Sequence, residues 1–274
     1  MKNIFLCIAL LFAGIITYAQ IAPSATGKFF DYNGTKIYYE DMGQGEPLLL
    51  LHTFNGTADQ WKSYFADYSK IFRVIAVDMI GHGRSDIFYK EGDLAFEHAD
   101  YAKILLALLD YLKIKQTNAM GASSGGITLF YTNFFQPDRF KNVVTIGSQI
   151  YYDKRVRDWI TADGPDSAKA DVLTRLANVH GQKKAMFQAR QFWYFRNYYG
   201  DPAFTPDMLN TIKANWVVVH SDDDFVPLDQ ALEMKKYIPK SRLWIYPFGG
   251  HTPHLDPVNR DDFLRRTTDF FTGK

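Results

Sequence analysis

Cysteine is almost missing from this chain. Cys7 is the only one in 274 residues, and it falls inside the apolar leader, too early to serve as a lipid-attachment site. Disulfides and cysteine-based metal sites are therefore excluded from the rest of the protein. Net charge is also lacking, with 31 Lys and Arg against 30 Asp and Glu. That balance leaves no basic stripe to hold a nucleic acid or an anionic membrane surface. No apolar run reaches the roughly 20 residues that span a bilayer. Internal repeats and low-complexity tracts are absent. No pair among His52, His82, His251 and His254 has the i, i+4 spacing of a helical zinc site, so neither a metal nor a cofactor is expected.

The N-terminus reads as a secretory signal. Lys2 supplies the positive start, Ile4 to Ile16 is apolar, and Thr17-Tyr18-Ala19 offers small residues before a cut ahead of Gln20. Residues 1–19 are then removed, Lys2 takes the cationic total from 31 to 30 against 30 acids, and the mature protein is formally neutral. A secreted or periplasmic location follows, with no membrane attachment after cleavage. The composition, 47% hydrophobic and 22% charged, suits one large α/β domain carrying an insertion.

Hydrophobic periodicity supplies the order of elements. Lys28–Tyr32 and Lys36–Asp41 flank Asn33-Gly34, a hairpin signature. Leu48–Leu51 and Arg73–Asp78 are continuous apolar runs of the kind buried on both faces, and Asp59–Ser69 between them is predicted helical. Strand, helix and strand in succession imply a parallel sheet. A helix is predicted over 95–113 from its stripe of Ile104, Leu105, Leu108, Leu109 and Leu112. Asn118–Met120 is a short strand, Ile127–Phe135 a helix and Asn142–Gly147 a strand. The rhythm breaks from Tyr151 to Ala214, where helical stretches predominate. It resumes with strand Trp216–His220, helix Asp229–Tyr237, strand Arg242–Tyr246 and helix Asn259–Phe271. The expected organisation is a core of 20–150 and 215–274 with a helical insertion, 151–214, over the carboxyl edge of the sheet.

Between a strand and a helix stands Gly121-Ala122-Ser123-Ser124-Gly125, a G-x-S-x-G pattern centred on Ser123. A serine on a sharp strand-to-helix turn presents its hydroxyl to a pocket, and the flanking glycines let strand and helix approach. The helix N-terminus that follows favours developing negative charge. A serine hydroxyl becomes a nucleophile once a base takes its proton and a carboxylate orients that base. Asp224, past Trp216–His220, and His251, past Arg242–Tyr246, lie in loops at the same sheet edge. The chain order Ser, Asp, His is that of the nucleophile-elbow fold. Rivals exist at each position: Ser124 beside Ser123, Asp222 and Asp223 beside Asp224, and His254 beyond His251. His52, His82 and His254 are expected to brace loops.

Taken together these motifs resemble the α/β-hydrolase superfamily, in the group with a helical cap after the sixth strand. His52-Thr53-Phe54 resembles its oxyanion loop, Asp78-Met79-Ile80-Gly81-His82-Gly83-Arg84-Ser85-Asp86 its D-x-x-G-H-G-x-S-D loop, Asp224-Phe225-Val226-Pro227 its acid turn, and Gly250-His251 its histidine segment. The resemblance implies a mostly parallel eight-stranded sheet flanked by helices. It also implies Ser123 as nucleophile, His251 as base, Asp224 as orienting acid, and an oxyanion hole from the Phe54 and Ser124 backbone N–H groups. One such donor is worth about 3 kcal/mol to a tetrahedral alkoxide. Two positions depart from the pattern, Thr53 in place of glycine and the small Ala122 at the pocket floor. The insertion carries Phe187, Phe192, Trp193, Tyr194, Phe195, Tyr198, Tyr199 and Phe204. Phe192 and Trp193, with Ala122, are the expected substrate contacts for a small apolar or aromatic molecule, and Arg190 and Arg196 are candidates for a substrate carboxylate. The implied activity is cleavage of a small ester, thioester or lactone. Carbon–carbon bond hydrolysis and cofactor-free perhydrolysis use the same triad, and a small-ligand receptor or an adhesion module on the same fold is the non-enzymatic alternative.

Overall fold

Successive residues of a strand point to opposite faces, so the run Leu48–Leu51 has to be covered twice. Leu48 and Leu50 pack with Trp61, Tyr64, Tyr68 and Phe271 on one face, while Leu49 and Leu51 join Ile104, Leu108, Phe130 and Trp216 on the other. The same alternation places Trp216 and Val218 on the second face and Val217 and Val219 on the first. These two apolar layers sandwich one sheet.

The computed structural model describes residues 26–87, 97–159, 169–197 and 201–274. The expected signal, residues 1–19, lies outside them, as do Tyr198 and Tyr199. The strands are β1 Gly27–Tyr32, β2 Thr35–Met42, β3 Glu46–Leu51, β4 Phe72–Val77, β5 Thr117–Ala122, β6 Phe140–Ile146, β7 Asn215–Ser221 and β8 Ser241–Tyr246. They form one eight-stranded sheet ordered β1-β2-β4-β3-β5-β6-β7-β8. β1 and β2 pair antiparallel, as do β2 and β4, and every other neighbouring pair is parallel. The hairpin between β1 and β2 turns at Asn33 and Gly34, both with positive φ (53° and 84°), as a type I′ turn requires.

Helices α1 Lys62–Tyr68 and α9 Arg260–Thr272 cover one face, and α2 His98–Tyr111, α3 Ser124–Phe135 and α8 Leu228–Tyr237 cover the other. Between β6 and β7 the chain runs through α4 Lys154–Trp159, α5 Ala170–His180, α6 Gln182–Asn197 and α7 Pro206–Asn210. In that stretch Tyr151 and Ala203 make an isolated antiparallel bridge. No helix among the described residues is long and apolar enough to cross a membrane.

Among the boundaries that differ from the sequence expectation, two have a clear local cause. The helix predicted from Asp59 opens as a 3₁₀ turn, Ala58–Trp61, whose Thr57 side chain caps the Asp59 amide, and the α-helix proper begins at Lys62. The strand predicted over 118–120 runs on to Ala122, because Gly121 and Ala122 continue the ladder against Thr145 and Ile146 of β6. With β3 and β5–β8 all parallel, the loops after β3, β5, β7 and β8 emerge at one edge.

Candidate active site

The turn after β5 carries the backbone strain expected of an elbow. Ser123 has φ 50° and ψ −117°, a conformation that costs a non-glycine residue on the order of 1–3 kcal/mol. Its amide is held by the Ile146 carbonyl at 2.7 Å, and its own carbonyl accepts from Ile127 N–H at 3.0 Å. The turn is this tight because Gly121 and Gly125 carry no side chain. A Cβ on Gly121 would sit 2.6 Å from the Gly125 carbonyl carbon, and one on Gly125 would sit 2.7 Å from the Leu51 and His52 carbonyl oxygens.

At the ends of β7 and β8 the structure brings Asp224 and His251 together. His251 Nδ1–H donates to the Asp224 carboxylate, 2.9 Å from Oδ1 and 3.1 Å from Oδ2. Asp224 is only 3% exposed, and Val226 N–H donates to its Oδ1 at 3.0 Å. Burial alone would raise this carboxyl, but the His220 and His251 rings and the Val226 amide outweigh it and hold Asp224 below the usual carboxylate range. Gly147, with φ 55°, makes the approach possible: a Cβ there would lie 2.6 Å from the His251 carbonyl, 3.0 Å from its Nδ1 and 3.1 Å from Asp224 Oδ2.

The neighbouring acids hold the loop. Asp222 Oδ1 accepts from Phe248 N–H and Asp223 Oδ1 from Gly250 N–H, both at 2.8 Å, which fixes the segment leading to His251. His254 is buried against Trp61, with ring centroids 4.9 Å apart, and burial pushes its imidazole down to about 3. His52 Nδ1–H donates to the Thr53 carbonyl and its Nε2 accepts from Met79 N–H at 2.9 Å. His52 thus ties two loops through both ring nitrogens, whereas the His254 ring is held by packing, its two nitrogens having no hydrogen-bond partner among the described residues.

Thr53 is accommodated because its amide donates to Gln60 Oε1 at 2.9 Å while its carbonyl accepts from Gly56 N–H. The following Phe54 N–H and the Ser124 N–H donate to no backbone acceptor in the turns, loops and caps of the described residues. The Asp78–Asp86 loop is locked from within. Arg84 Nε–H donates to Asp78 Oδ2 at 2.7 Å, its Nη2–H reaches Asp59 Oδ1 at 3.0 Å, and the Asp78 carboxylate also receives Ala58 N–H and Arg84 N–H.

Ser123, His251, Phe54 and Ser124 line one cavity of about 200 Å³, together with Thr53, Asn55, Gln149, Tyr152, Phe192, Phe195, Phe225 and Thr252, among others. Ser123 Oγ and the His251 ring share this wall without a mutual hydrogen bond among the described contacts, which is common before substrate binds. A larger hollow, about 500 Å³, opens between Lys141, Asn215 and Ser241 at the amino ends of the strands, away from all of these groups.

Two expected contacts are corrected. Ala122 is fully buried within the sheet-face layer and does not reach the cavity. Trp193 is half-buried against the core, while Phe192 and Phe195, three residues apart on α6, face the cavity; successive helical residues turn by about 100°, so adjacent side chains cannot share that face. Arg190 and Arg196 are not cavity-wall residues either. Sequence reasoning missed His220, whose Nδ1 lies 3.2 Å from Asp224 Oδ2 in ion-pair range but without hydrogen-bond alignment. It also missed His98, Asp201, Gln149 and Arg155, the last of which donates to the Asp224 carbonyl at 3.1 Å.

Comparison with known proteins agrees with the geometry. The family model described as alpha/beta hydrolase fold matches residues 46–191. A 2-hydroxy-6-oxononadienedioate/2-hydroxy-6-oxononatrienedioate hydrolase of Burkholderia vietnamiensis is 26% identical, covering 89% of this chain and 97% of its own. The non-heme chloroperoxidase CPO-A1 of Kitasatospora aureofaciens is 26% identical, covering 87% and 96%. The crystal structure of a mutant form of a meta-cleavage product hydrolase (CumD) superposes with a TM-score of 0.73 at 23% identity, covering 91% of this chain and 99% of that one. The chain belongs to the α/β hydrolase fold family and is a hydrolase of that type.

Proposed function

We propose that the protein is an exported serine hydrolase that cleaves a small, uncharged ester, thioester or lactone through an acyl-enzyme on Ser123. The observation that carries this reading is a strained serine and an imidazole on one cavity wall, with a buried carboxylate 2.9 Å behind the imidazole. In the first step Ser123 Oγ attacks the acyl carbonyl as His251 Nε2 takes the hydroxyl proton. Asp224 keeps the ring proton on Nδ1 and stabilises the imidazolium. The alkoxide forms against the Phe54 and Ser124 N–H groups. His251 then protonates the leaving group, and a water activated in the same way releases the acid. Export rests on the N-terminal segment, Lys2 followed by the apolar run Ile4–Ile16. The helices between β6 and β7 act as the cap, with Phe192 and Phe195 closing the cavity.

The wall chemistry narrows the substrate. A cavity of about 200 Å³ is small beside the roughly 300–1,000 Å³ of common ligand pockets and suits a short acyl or alkyl group. Apart from His251, the described wall residues are Phe, Val, Thr, Asn, Gln, Tyr and Ser, with no Asp, Glu, Lys or Arg among them. A dianionic substrate such as the dioates named for the Burkholderia relative would leave its carboxylates unpaired in this space, at a desolvation cost of several kcal/mol each. The carbon–carbon hydrolase alternative is favoured by that relative's name, and the perhydrolase alternative by the chloroperoxidase.

A panel of short aryl esters, lactones and a dienedioate, with and without hydrogen peroxide, assayed on parent and Ser123→Ala, separates these readings. Turnover of the uncharged esters that vanishes in Ser123→Ala is the expected result. Turnover of the dienedioate alone would transfer the assignment to carbon–carbon cleavage, and equal activity in Ser123→Ala would remove the nucleophile.

A further inference from the structure

Beside the nucleophile lies a second Ser–His–Asp chain that the mechanism above does not use. Ser124 Oγ–H donates to His98 Nε2 at 2.6 Å, and His98 Nδ1–H donates to Asp201 Oδ2 at 2.9 Å. The His98 backbone N–H donates to the same carboxylate oxygen at 2.7 Å. With the carboxylate facing Nδ1, the ring proton sits there, and Nε2 is free to accept from the serine. Ser124, His98 and Asp201 are 3%, 0% and 1% exposed. Ser124 opens α3, His98 opens α2, and Asp201 lies two residues before the Tyr151–Ala203 bridge. The His98 ring stacks on Phe195 of α6, with centroids 5.0 Å apart and planes at 17°, and Phe195 is itself a cavity-wall residue.

This chain has the polarity of a catalytic triad but not its setting. Its serine hydroxyl is committed to an enclosed imidazole, and its backbone lacks the elbow strain that Ser123 carries. The chemistry offered to the cavity by residue 124 is its backbone N–H, one of the two oxyanion donors in the reading above, on which this inference rests. An oxyanion donor has to sit about 2.7–3.1 Å from the oxygen it stabilises, and a misplacement of about 1 Å can cost on the order of 10²-fold in rate. A side-chain hydroxyl pinned to an imidazole whose own Nδ1–H and backbone N–H both hold one carboxylate oxygen fixes the first turn of α3, and with it the direction of that N–H.

We propose that Ser124, His98 and Asp201 form a positioning relay that aims the Ser124 amide at the oxyanion and ties that aim to the seating of the insertion helices. In a ground-state complex the relay contributes little, because no oxyanion has formed. In the transition state it decides how well the charge is held.

The test compares the full-length parent with Ser124→Ala, which keeps the amide and removes its anchor, and with Asp201→Asn. Four quantities are read: kcat, KM, affinity for an alkyl boronic acid that mimics the tetrahedral adduct, and affinity for the product acid. Fluorophosphonate titration of the parent, with the labelled residue mapped, is run alongside. The relay predicts that kcat in Ser124→Ala falls by about 10- to 100-fold while KM stays within about twofold. Boronate affinity falls in step with kcat, product affinity holds, and Asp201→Asn shows the same pattern to a smaller degree. Parental kcat and boronate affinity in Ser124→Ala would overturn the relay while leaving the mechanism standing. So would a rise in KM with boronate and product affinities lost alike, the mark of simple loosening. A parent that takes up no label, or takes it up on Ser124, would instead overturn the Ser123 mechanism, and the relay with it.

Discussion

Replacing Asp224 by asparagine tests the proton path with almost no change of volume. In the parent, one carboxylate serves Val226 N–H at 3.0 Å and His251 Nδ1–H at 2.9 Å. Asparagine has one acceptor oxygen. His251 Nδ1 lies 2.9 Å from Oδ1 and 3.1 Å from Oδ2, so whichever way the amide is seated its NH₂ comes within hydrogen-bond reach of Nδ1, and donation from it drives the ring proton to Nε2. An imidazole protonated at Nε2 cannot accept the Ser123 proton. The same change in a serine protease lowers kcat by about 10⁴, equivalent to about 5.5 kcal/mol of barrier at 1.36 kcal/mol per decade. Fold stability should move far less, by about 1–3 kcal/mol, because shape and the Val226 contact survive. Stopped assays of a short aryl ester, paired with thermal unfolding of both proteins, measure the two effects separately. A variant within tenfold of the parent in kcat, with an unchanged melting temperature, would refute the orienting role of this carboxylate.

Gly147→Ala should cripple activity without replacing a reacting group, since its Cβ would press on the His251 carbonyl and Nδ1 and on Asp224 Oδ2 from a residue held at φ 55°; activity and melting temperature of the variant check this. Phe192→Ala should raise KM by removing a cavity wall that also packs edge-on against Phe54 at 4.7 Å, whereas Trp193→Ala should leave KM near parental, and steady-state kinetics on one ester decides between them. Acid should destabilise the fold in two stages. Burial holds His180 down to about 4 and His254 down to about 3, while the same rings in the unfolded chain protonate near pH 6.5. The unfolded state then binds more protons, so stability falls as pH drops below about 6.5, by up to about 1.4 kcal/mol per pH unit per histidine. Asp224 acts from the acid end of that window downward. Its lowered folded value gives stability that is present above about pH 4 and lost as pH falls through the folded value. Urea unfolding from pH 7 to pH 3 reads both stages.

Much of this arrangement was legible because it is local. The elbow, the acid turn and the histidine segment are short motifs at strand ends, and parallel strands bring their carboxyl ends to one edge whatever lies between them. Continuous apolar runs such as Leu48–Leu51 gave the buried strands, and their alternation between two packed layers followed from the strand period. The relay was not legible. His98 and Asp201 are 103 residues apart in sequence, and neither sits in a pattern that announces a partner. His220 was concealed within an apolar strand, where its neighbours' hydrophobicity dominates the reading. The misplacement of Trp193 has a different cause. Helix α6 has apolar residues at 192, 193, 194 and 195, which cover most of a turn, so the sequence does not fix which pair faces the cavity. That phase is set by the packing of Phe195 on His98 and of Phe192 on Phe54. Ala122 was misplaced because the strand continues through it and its side chain packs into the layer that holds Trp61 and Ile146.

On the proposed mechanism Ser123 is the nucleophile and His251 its base. Reaction with a fluorophosphonate, followed by digestion and mass spectrometry of the adduct, addresses it in one experiment. One adduct per chain on Ser123, formed at a rate that collapses in His251→Ala, is the predicted outcome. An adduct on any other residue, or labelling of Ser123 at the same rate without the imidazole, would contradict it.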